Sequence, residues 1–87
     1  GETLTIAATK LYSVDEAAKR LRHLISSMSD WTVLEHFLPP NLSKPLDISS
    51  ATASHFAASL ELAREGVLRM RQDSHFAPIY LKTRDHA

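Results

Sequence analysis

The sequence contains no cysteine and only two glycines among its 87 residues. Without cysteine there is no disulfide framework, no thiol nucleophile and no zinc site with cysteine ligands, and we expect a protein of the reducing cytoplasm. Because glycine occurs only at positions 1 and 66, no glycine-rich loop is available to hold phosphate groups. These absences remove several classes of enzyme and metal-binding protein.

Charge and hydropathy also exclude more than they indicate. Ten Lys and Arg balance ten Asp and Glu, so net charge does not draw the domain toward nucleic acid or anionic lipid. No apolar run is long enough to span a bilayer, and the first residues lack a signal-peptide pattern. The length predicts one small domain, and an apolar fraction of 44% is ordinary for a globular one. Because the opening residues, Glu2 to Thr9, neither begin with Met nor resemble a native start, we expect the chain to be a domain excised from a longer protein.

Helix signals dominate the first half of the chain. Residues 1–10 are predicted to be a linker or a short N-terminal strand. Ser13 and Glu16 then form a capping box, and apolar residues at three- and four-residue steps predict an amphipathic helix over about 14–28. A second N-cap at Ser29-Asp30 predicts a short helix from Trp31 to Leu38, because the Pro39-Pro40 pair must end it.

The second half of the chain predicts a third helix followed by a hairpin. Residues 41–49 are predicted to be a loop, Ser49 or Ser50 caps a helix over about 51–65, and Gly66 is placed for a left-handed C-terminal cap. Alternation over residues 67–72, a turn and a second extended run at 77–82 predict a β-hairpin. We therefore predict an α+β fold of the winged-helix type over residues 11–83, with three helices and a hairpin wing. Residues 84–87 are predicted to be a frayed tail.

The predicted third helix has two apolar faces. Phe56 and Leu60 fall on one face together with small residues, and Leu62 falls roughly opposite with Ala51 and Ala58. One such face suffices to pack on a small domain, so the other is either covered by a second layer of the same domain or by a partner. The pattern alone leaves open which face is core.

A DNA-binding regulator of the winged-helix type is the alternative function. Reading bases in the major groove requires Arg, Lys, Asn or Gln on the recognition helix, and residues 51–63 contain none of them. Two aspartates, Asp73 and Asp85, reduce the positive charge of the wing. Its basic residues are Arg69, Arg71, Lys82 and Arg84. A solvated strand face is the simpler interpretation of this pattern.

Catalytic and metal-binding interpretations find little support in the residue pattern. The five histidines, at positions 23, 36, 55, 75 and 86, show no helical i, i+4 pairing and no HExxH motif. Glu61 and Glu65 lie one turn apart and are more typical of a polar stripe than of an acid–base pair. We therefore expect a domain that is not an enzyme and holds neither a metal nor a cofactor.

The order and spacing of several short segments resemble a known family. Leu11-Tyr-Ser-Val-Asp-Glu-Ala17, Asp30-Trp31, Phe37-Leu-Pro-Pro40, the run Ser54–Leu68 (SHFAASLELAREGVL) and the hairpin residues up to Lys82 are similar to the C-terminal winged-helix domain of segregation and condensation protein A, the bacterial kleisin. The similarity covers residues 11–82. Two departures lie in the wing, where Ala77-Pro78 replaces the usual glycine-containing turn and His75 stands where proline is common.

The resemblance implies a subunit of bacterial condensin that serves chromosome condensation and segregation. In that family this domain binds the ATPase head of an SMC protein, and other parts of the kleisin bind a second SMC and segregation and condensation protein B. It would be nucleoid-associated in the cytoplasm, would touch DNA only through the complex, and would not contact a membrane. The residues that match the family's SMC-binding segment are Phe56, Leu60, Leu62, Gln72, Phe76 and Ile79.

Overall fold

A computed structural model describes residues 12–84 of the chain. They form a small α+β domain in which two α-helices pack on one face of a three-stranded antiparallel sheet. The helices are α1 (Val14–Ile25) and α2 (Pro45–Arg64). The predicted linker or N-terminal strand at residues 1–10 falls outside the described residues, and so does the predicted frayed tail except for Arg84.

Helix α1 begins where the capping box predicts. The Ser13 hydroxyl oxygen accepts a hydrogen bond from the Glu16 backbone N–H at 3.0 Å. The same hydroxyl donates to the Glu16 carboxylate at 3.2 Å. The helix ends at Ile25, three residues earlier than expected, and its buried face carries Ala17, Leu21 and Ile25. This face packs against α2 and builds the centre of the core.

The segment predicted as a short helix is a strand followed by a 3-10 helix, so the helical prediction for residues 31–33 is wrong. Strand β1 (Thr32–Val33) pairs with a strand far along the chain, and the 3-10 helix covers Leu34–Phe37. A long-range pairing of this kind leaves no local periodic signal, which is why the sequence did not indicate it. Arg20 of α1 fixes the segment, because its guanidinium donates to the carbonyl oxygens of Phe37 at 2.7 Å and Leu38 at 3.3 Å.

Helix α2 begins six residues earlier than predicted. Lys44 is its N-cap and Pro45 is its first helical residue, so the predicted start at Ser49 or Ser50 is wrong. Proline suits the first position because its missing N–H would have no helical partner there, and Asp47 in the first turn faces the positive end of the helix dipole. The predicted end is confirmed. Gly66 has φ +81°, and its backbone N–H donates to the Ala63 carbonyl. The Val67 backbone N–H donates to the Leu62 carbonyl, and these two hydrogen bonds together make a Schellman cap.

The predicted hairpin is confirmed as β2 (Leu68–Gln72) and β3 (Ile79–Thr83). The strand order is β1-β3-β2, so β3 is central and pairs antiparallel with both neighbours. Leu68 and Leu81 point toward the helices and are buried, whereas Arg69 and Arg71 point away. The α+β class is therefore established, with two α-helices and one 3-10 helix among residues 12–84.

Candidate protein-docking surface

The inner face of α2 is unexpectedly polar. Ser54, His55 and Ser59 are buried beside Ala58 and Leu62. Their side chains reach backbone carbonyls of their own helix: Ser54 and His55 donate to Ala51 at 3.0 and 2.8 Å, and Ser59 donates to His55 at 2.7 Å. Because these bonds satisfy the polar atoms locally, small polar residues can lie in the core without a partner from another element.

His55 is the exception, because only one of its two ring nitrogens forms a hydrogen bond among the described residues. A carbonyl can only accept, so Nδ1 carries the proton toward Ala51, and Nε2 is buried without a hydrogen-bond partner among the described residues. Burial lowers the pKa of His55, the Ala51 bond opposes this, and the positive charge of Arg20 lowers it further. The imidazole lines a cavity of about 290 Å³ together with Tyr12 and with Glu16, Ala17 and Arg20 of α1.

The outer face of α2 carries exposed large apolar side chains. Phe56 is 37% exposed and Leu60 is 50% exposed, one turn apart on the helix. The structure thus resolves which apolar face is core: the face of Leu62, Ala58 and Ala51 is buried. Leu62 is 1% exposed and belongs to the core cluster, so its expected role in binding a partner does not fit this structure.

Phe56 lies between two open grooves that separate α2 from the hairpin. The larger has a volume of about 470 Å³ and is lined by Phe56, Phe76 and Ile79, with Val33, Leu34, Glu35, Thr52, Ala77 and Pro78. The smaller has a volume of about 230 Å³ and is lined by Phe56, Leu60, Gln72 and Ile79, with Met70 and Arg71. Five of the six residues matched to the family's binding segment therefore border one continuous surface, which we call the apolar groove surface.

The hairpin tip presents Phe76 to solvent under backbone constraint. Its ring is fully exposed, and its φ is +63°, in the left-handed region that a bulky residue rarely adopts. The turn is held by the Gln72 side chain, whose Nε2 donates to the Ala77 carbonyl at 2.9 Å, and by the Ala77 N–H, which donates to Ser74 at 3.1 Å. Gln72 therefore supports the turn that displays Phe76, besides bordering the smaller groove.

The other side of the sheet carries a cluster that the sequence pattern did not reveal. Trp31 was expected within a helix, but it directly precedes β1 and is surrounded by cations of the hairpin. Arg69, Arg71 and Lys82 lie 5.5, 5.0 and 5.9 Å from the centre of its ring. Three of the four basic residues of the wing are thus gathered around one ring rather than scattered along solvated strands.

Residues 12–84 contain no group of three or more His, Asp or Glu side chains placed to hold a metal ion. Within the same range, neither helix has the combination of length and apolar character that crossing a bilayer requires.

Fold and surface together define a small α+β domain with an open apolar groove between its longer helix and its hairpin. Comparison with protein-family models, curated proteins and solved structures finds no significant match to this chain.

Proposed function

We propose that this domain is a winged helix of the kleisin type, related to the C-terminal domain of segregation and condensation protein A, and that its apolar groove surface docks onto the ATPase head of an SMC protein. The observation that carries the proposal is the pairing of an exposed helix face, at Phe56 and Leu60, with an exposed wing tip, at Phe76. In the winged-helix plan the 3-10 helix Leu34–Phe37 takes the place of the short second helix.

Solvent exposure of these side chains supports protein docking as their role. A few residues that are buried at the centre of an interface, with aromatic residues prominent among them, supply most of its binding energy. Phe56 is shared by both grooves, so a partner helix or strand laid between α2 and the hairpin would cover Phe56, Leu60 and Phe76 together. The positive φ of Phe76 also supports a docking role, because backbone strain of this kind concentrates at functional sites.

Base reading by α2 receives no support from its residues. From Pro45 to Ala63 the helix contains no Arg, Lys, Asn or Gln, and the extension of the helix back to Pro45 adds only Asp47 as a charged residue. A sequence-specific DNA regulator that reads bases through this helix is therefore the weaker candidate.

Within this proposal the domain supplies contact, and ATP turnover belongs to the SMC head. The complex would be a bacterial condensin that also includes segregation and condensation protein B and acts at the nucleoid in the cytoplasm. DNA would be held by the assembled complex, and the domain would need neither a metal nor a cofactor for docking.

The test is a titration of the domain with the SMC head of its own organism, followed by calorimetry and by co-elution in size exclusion. We expect a one-to-one complex. Leu60→Glu places a charge in the groove and should weaken binding at least about 30-fold, the loss typical of a central interface residue. The matched control is Leu46→Glu, because Leu46 is 66% exposed on the same helix and borders neither groove.

The two variants must first give far-UV circular dichroism equal to wild type. Equal weakening by both substitutions would show that the groove is not the contact, and a wild-type domain that fails to co-elute with the head would remove the proposed partner.

A further inference from the structure

The outer face of the sheet, opposite the helices, combines aromatic rings with unbalanced positive charge. The hairpin register places Arg69 directly across from Lys82 and Arg71 directly across from Tyr80. Because Thr32 pairs with Leu81, the preceding Trp31 extends the row of Arg69 and Lys82. We call the five residues of these two rows the cationic sheet face.

Distances confirm that the rows form one cluster. Arg71 lies 5.0 Å from the ring centre of Trp31 and 5.5 Å from that of Tyr80, so one guanidinium bridges the two aromatic rings. Arg69 and Lys82 approach the Trp31 ring from the neighbouring strands at 5.5 and 5.9 Å. Cation–π contacts at these distances hold the long side chains in place and keep their charged ends at the surface.

Few carboxylates oppose these charges. Asp73 pairs with Arg71 at 3.2 Å, and the Asp30 side chain accepts a hydrogen bond from the Trp31 backbone at 2.7 Å. Among residues 12–84, neither Arg69 nor Lys82 forms an ion pair. Like charges directly opposite each other on adjacent strands are destabilising, so an anion bound between Arg69 and Lys82 would reduce their repulsion.

We propose that the cationic sheet face binds a single strand of nucleic acid, with its phosphates between Arg69 and Lys82 and its bases stacked on Trp31, Tyr80 or the bridging guanidinium of Arg71. Single-strand sites of this kind combine a positively charged track with aromatic platforms, and bases stack equally on rings and on guanidinium planes. Apart from Arg71, which also borders the smaller groove, this site shares no residue with the lining of the apolar groove surface, and it requires no base-reading helix. The same chemistry fits DNA and RNA strands.

An acidic peptide would satisfy the positive charges but leaves the rings without a role. The aromatic component therefore favours nucleic acid. Stacking on an aromatic ring or a guanidinium plane is available to every base, so this site would bind without sequence preference, in agreement with the absence of Arg, Lys, Asn and Gln from Pro45 to Ala63 of α2.

The test uses the whole 87-residue chain and a fluorescein-labelled oligothymidine of about 20 nucleotides. Fluorescence anisotropy gives the affinity, and quenching of Trp31 gives an independent signal, because this is the only tryptophan in the chain. At low salt we expect saturable binding with Trp31 quenching. If Arg69 and Lys82 neutralise two phosphates, log K should fall with log salt with a slope of about −1.4, the value expected for a single strand.

Two variants with equal change of net charge separate a site from a general charge effect. Arg69→Gln with Lys82→Gln should weaken binding at least about tenfold at low salt, since both proposed phosphate contacts are lost. Lys19→Gln with Arg64→Gln removes two exposed cations elsewhere and should leave affinity within about twofold. Trp31→Ala should cost about tenfold by anisotropy, the loss of one stacked base, with circular dichroism reporting its folding.

The proposal would be overturned by no anisotropy change at low salt, by equal weakening in the two double variants, or by polyglutamate competing as well as the oligonucleotide. Tighter binding of duplex than of single-stranded DNA would also overturn it, because a paired base cannot stack on Trp31. Oligouridine and oligothymidine binding alike would support recognition through phosphate and base faces, and a preference for either would identify the strand that the site takes.

Discussion

Two leucines on α2 offer a direct test of which helix face is core and which is interface. Leu62 is 1% exposed and packs in the central cluster, whereas Leu60, two residues earlier, is 50% exposed and borders the smaller groove. Truncating each to alanine changes the same number of atoms in the same helix. We predict that Leu62→Ala lowers stability and leaves docking intact, and that Leu60→Ala does the reverse.

The magnitudes follow from burial. Truncating a fully buried leucine removes its transfer free energy and leaves a cavity, which together cost about 2–5 kcal/mol. A domain of this length has a total unfolding free energy of about 4–13 kcal/mol, so Leu62→Ala removes a large fraction of it. Half-exposed Leu60 has less to lose, and we expect Leu60→Ala to cost less than about 1 kcal/mol.

Urea unfolding, monitored by Trp31 fluorescence and far-UV circular dichroism, measures both losses of unfolding free energy. An unchanged m-value shows that the substitution has altered stability alone. In thermal unfolding, Leu62→Ala should lower Tm by at least about 10 °C and Leu60→Ala by only a few degrees. SMC-head affinity should fall for Leu60→Ala alone. Equal destabilisation by the two truncations would mean that Phe56 and Leu60 are packed rather than displayed, and the docking argument would lose its basis.

Three further predictions concern single residues. Because burial lowers the pKa of His55, the folded-state pKa lies below the unfolded value of 6.5. The free energy of unfolding should therefore fall as pH decreases below about 6.5, by at most about 1.4 kcal/mol per pH unit. In urea titrations, His55→Leu should abolish this pH-dependent part of the stability. Phe76→Asn should be more stable than Phe76→Ala by up to about 1 kcal/mol in urea, since Asn tolerates positive φ, while both variants lose SMC-head affinity in calorimetry. Gly66→Ala should cost about 1 kcal/mol in thermal unfolding, because alanine is strained at φ +81°.

Local signals in the sequence predicted the parts of the fold that local interactions determine. The capping box at Ser13, the glycine cap at Gly66 and the alternation of the hairpin each describe contacts within a few residues, and all three are present. The strand at Thr32–Val33 depends on pairing with Leu81 and Tyr80, nearly fifty positions away, so no periodicity could reveal it.

The two-faced pattern of α2 could not be resolved from sequence for a physical reason. Its buried face contains His55 and two serines, which a hydropathy pattern assigns to solvent, whereas the larger apolar residues Phe56 and Leu60 are outside. Hydrogen bonds to the helix's own carbonyls make the polar residues acceptable in the core. Pattern arguments assume that buried polar atoms need water or another element, and here the two serine hydroxyls and His55 Nδ1 need neither.

Arg71 connects the two proposed surfaces, since it borders the smaller groove beside Leu60 and also bridges Trp31 and Tyr80. Arg69 touches only the cationic sheet face. We therefore predict that Arg71→Ala weakens both SMC-head and oligothymidine binding, whereas Arg69→Ala weakens only the second. Asp73→Asn is the control, because it removes the ion pair with Arg71 but keeps the guanidinium. Calorimetry measures the affinity of the three variants for the SMC head, and anisotropy measures their affinity for oligothymidine. If Arg71→Ala binds the head like wild type, the two surfaces are energetically separate although they share a strand.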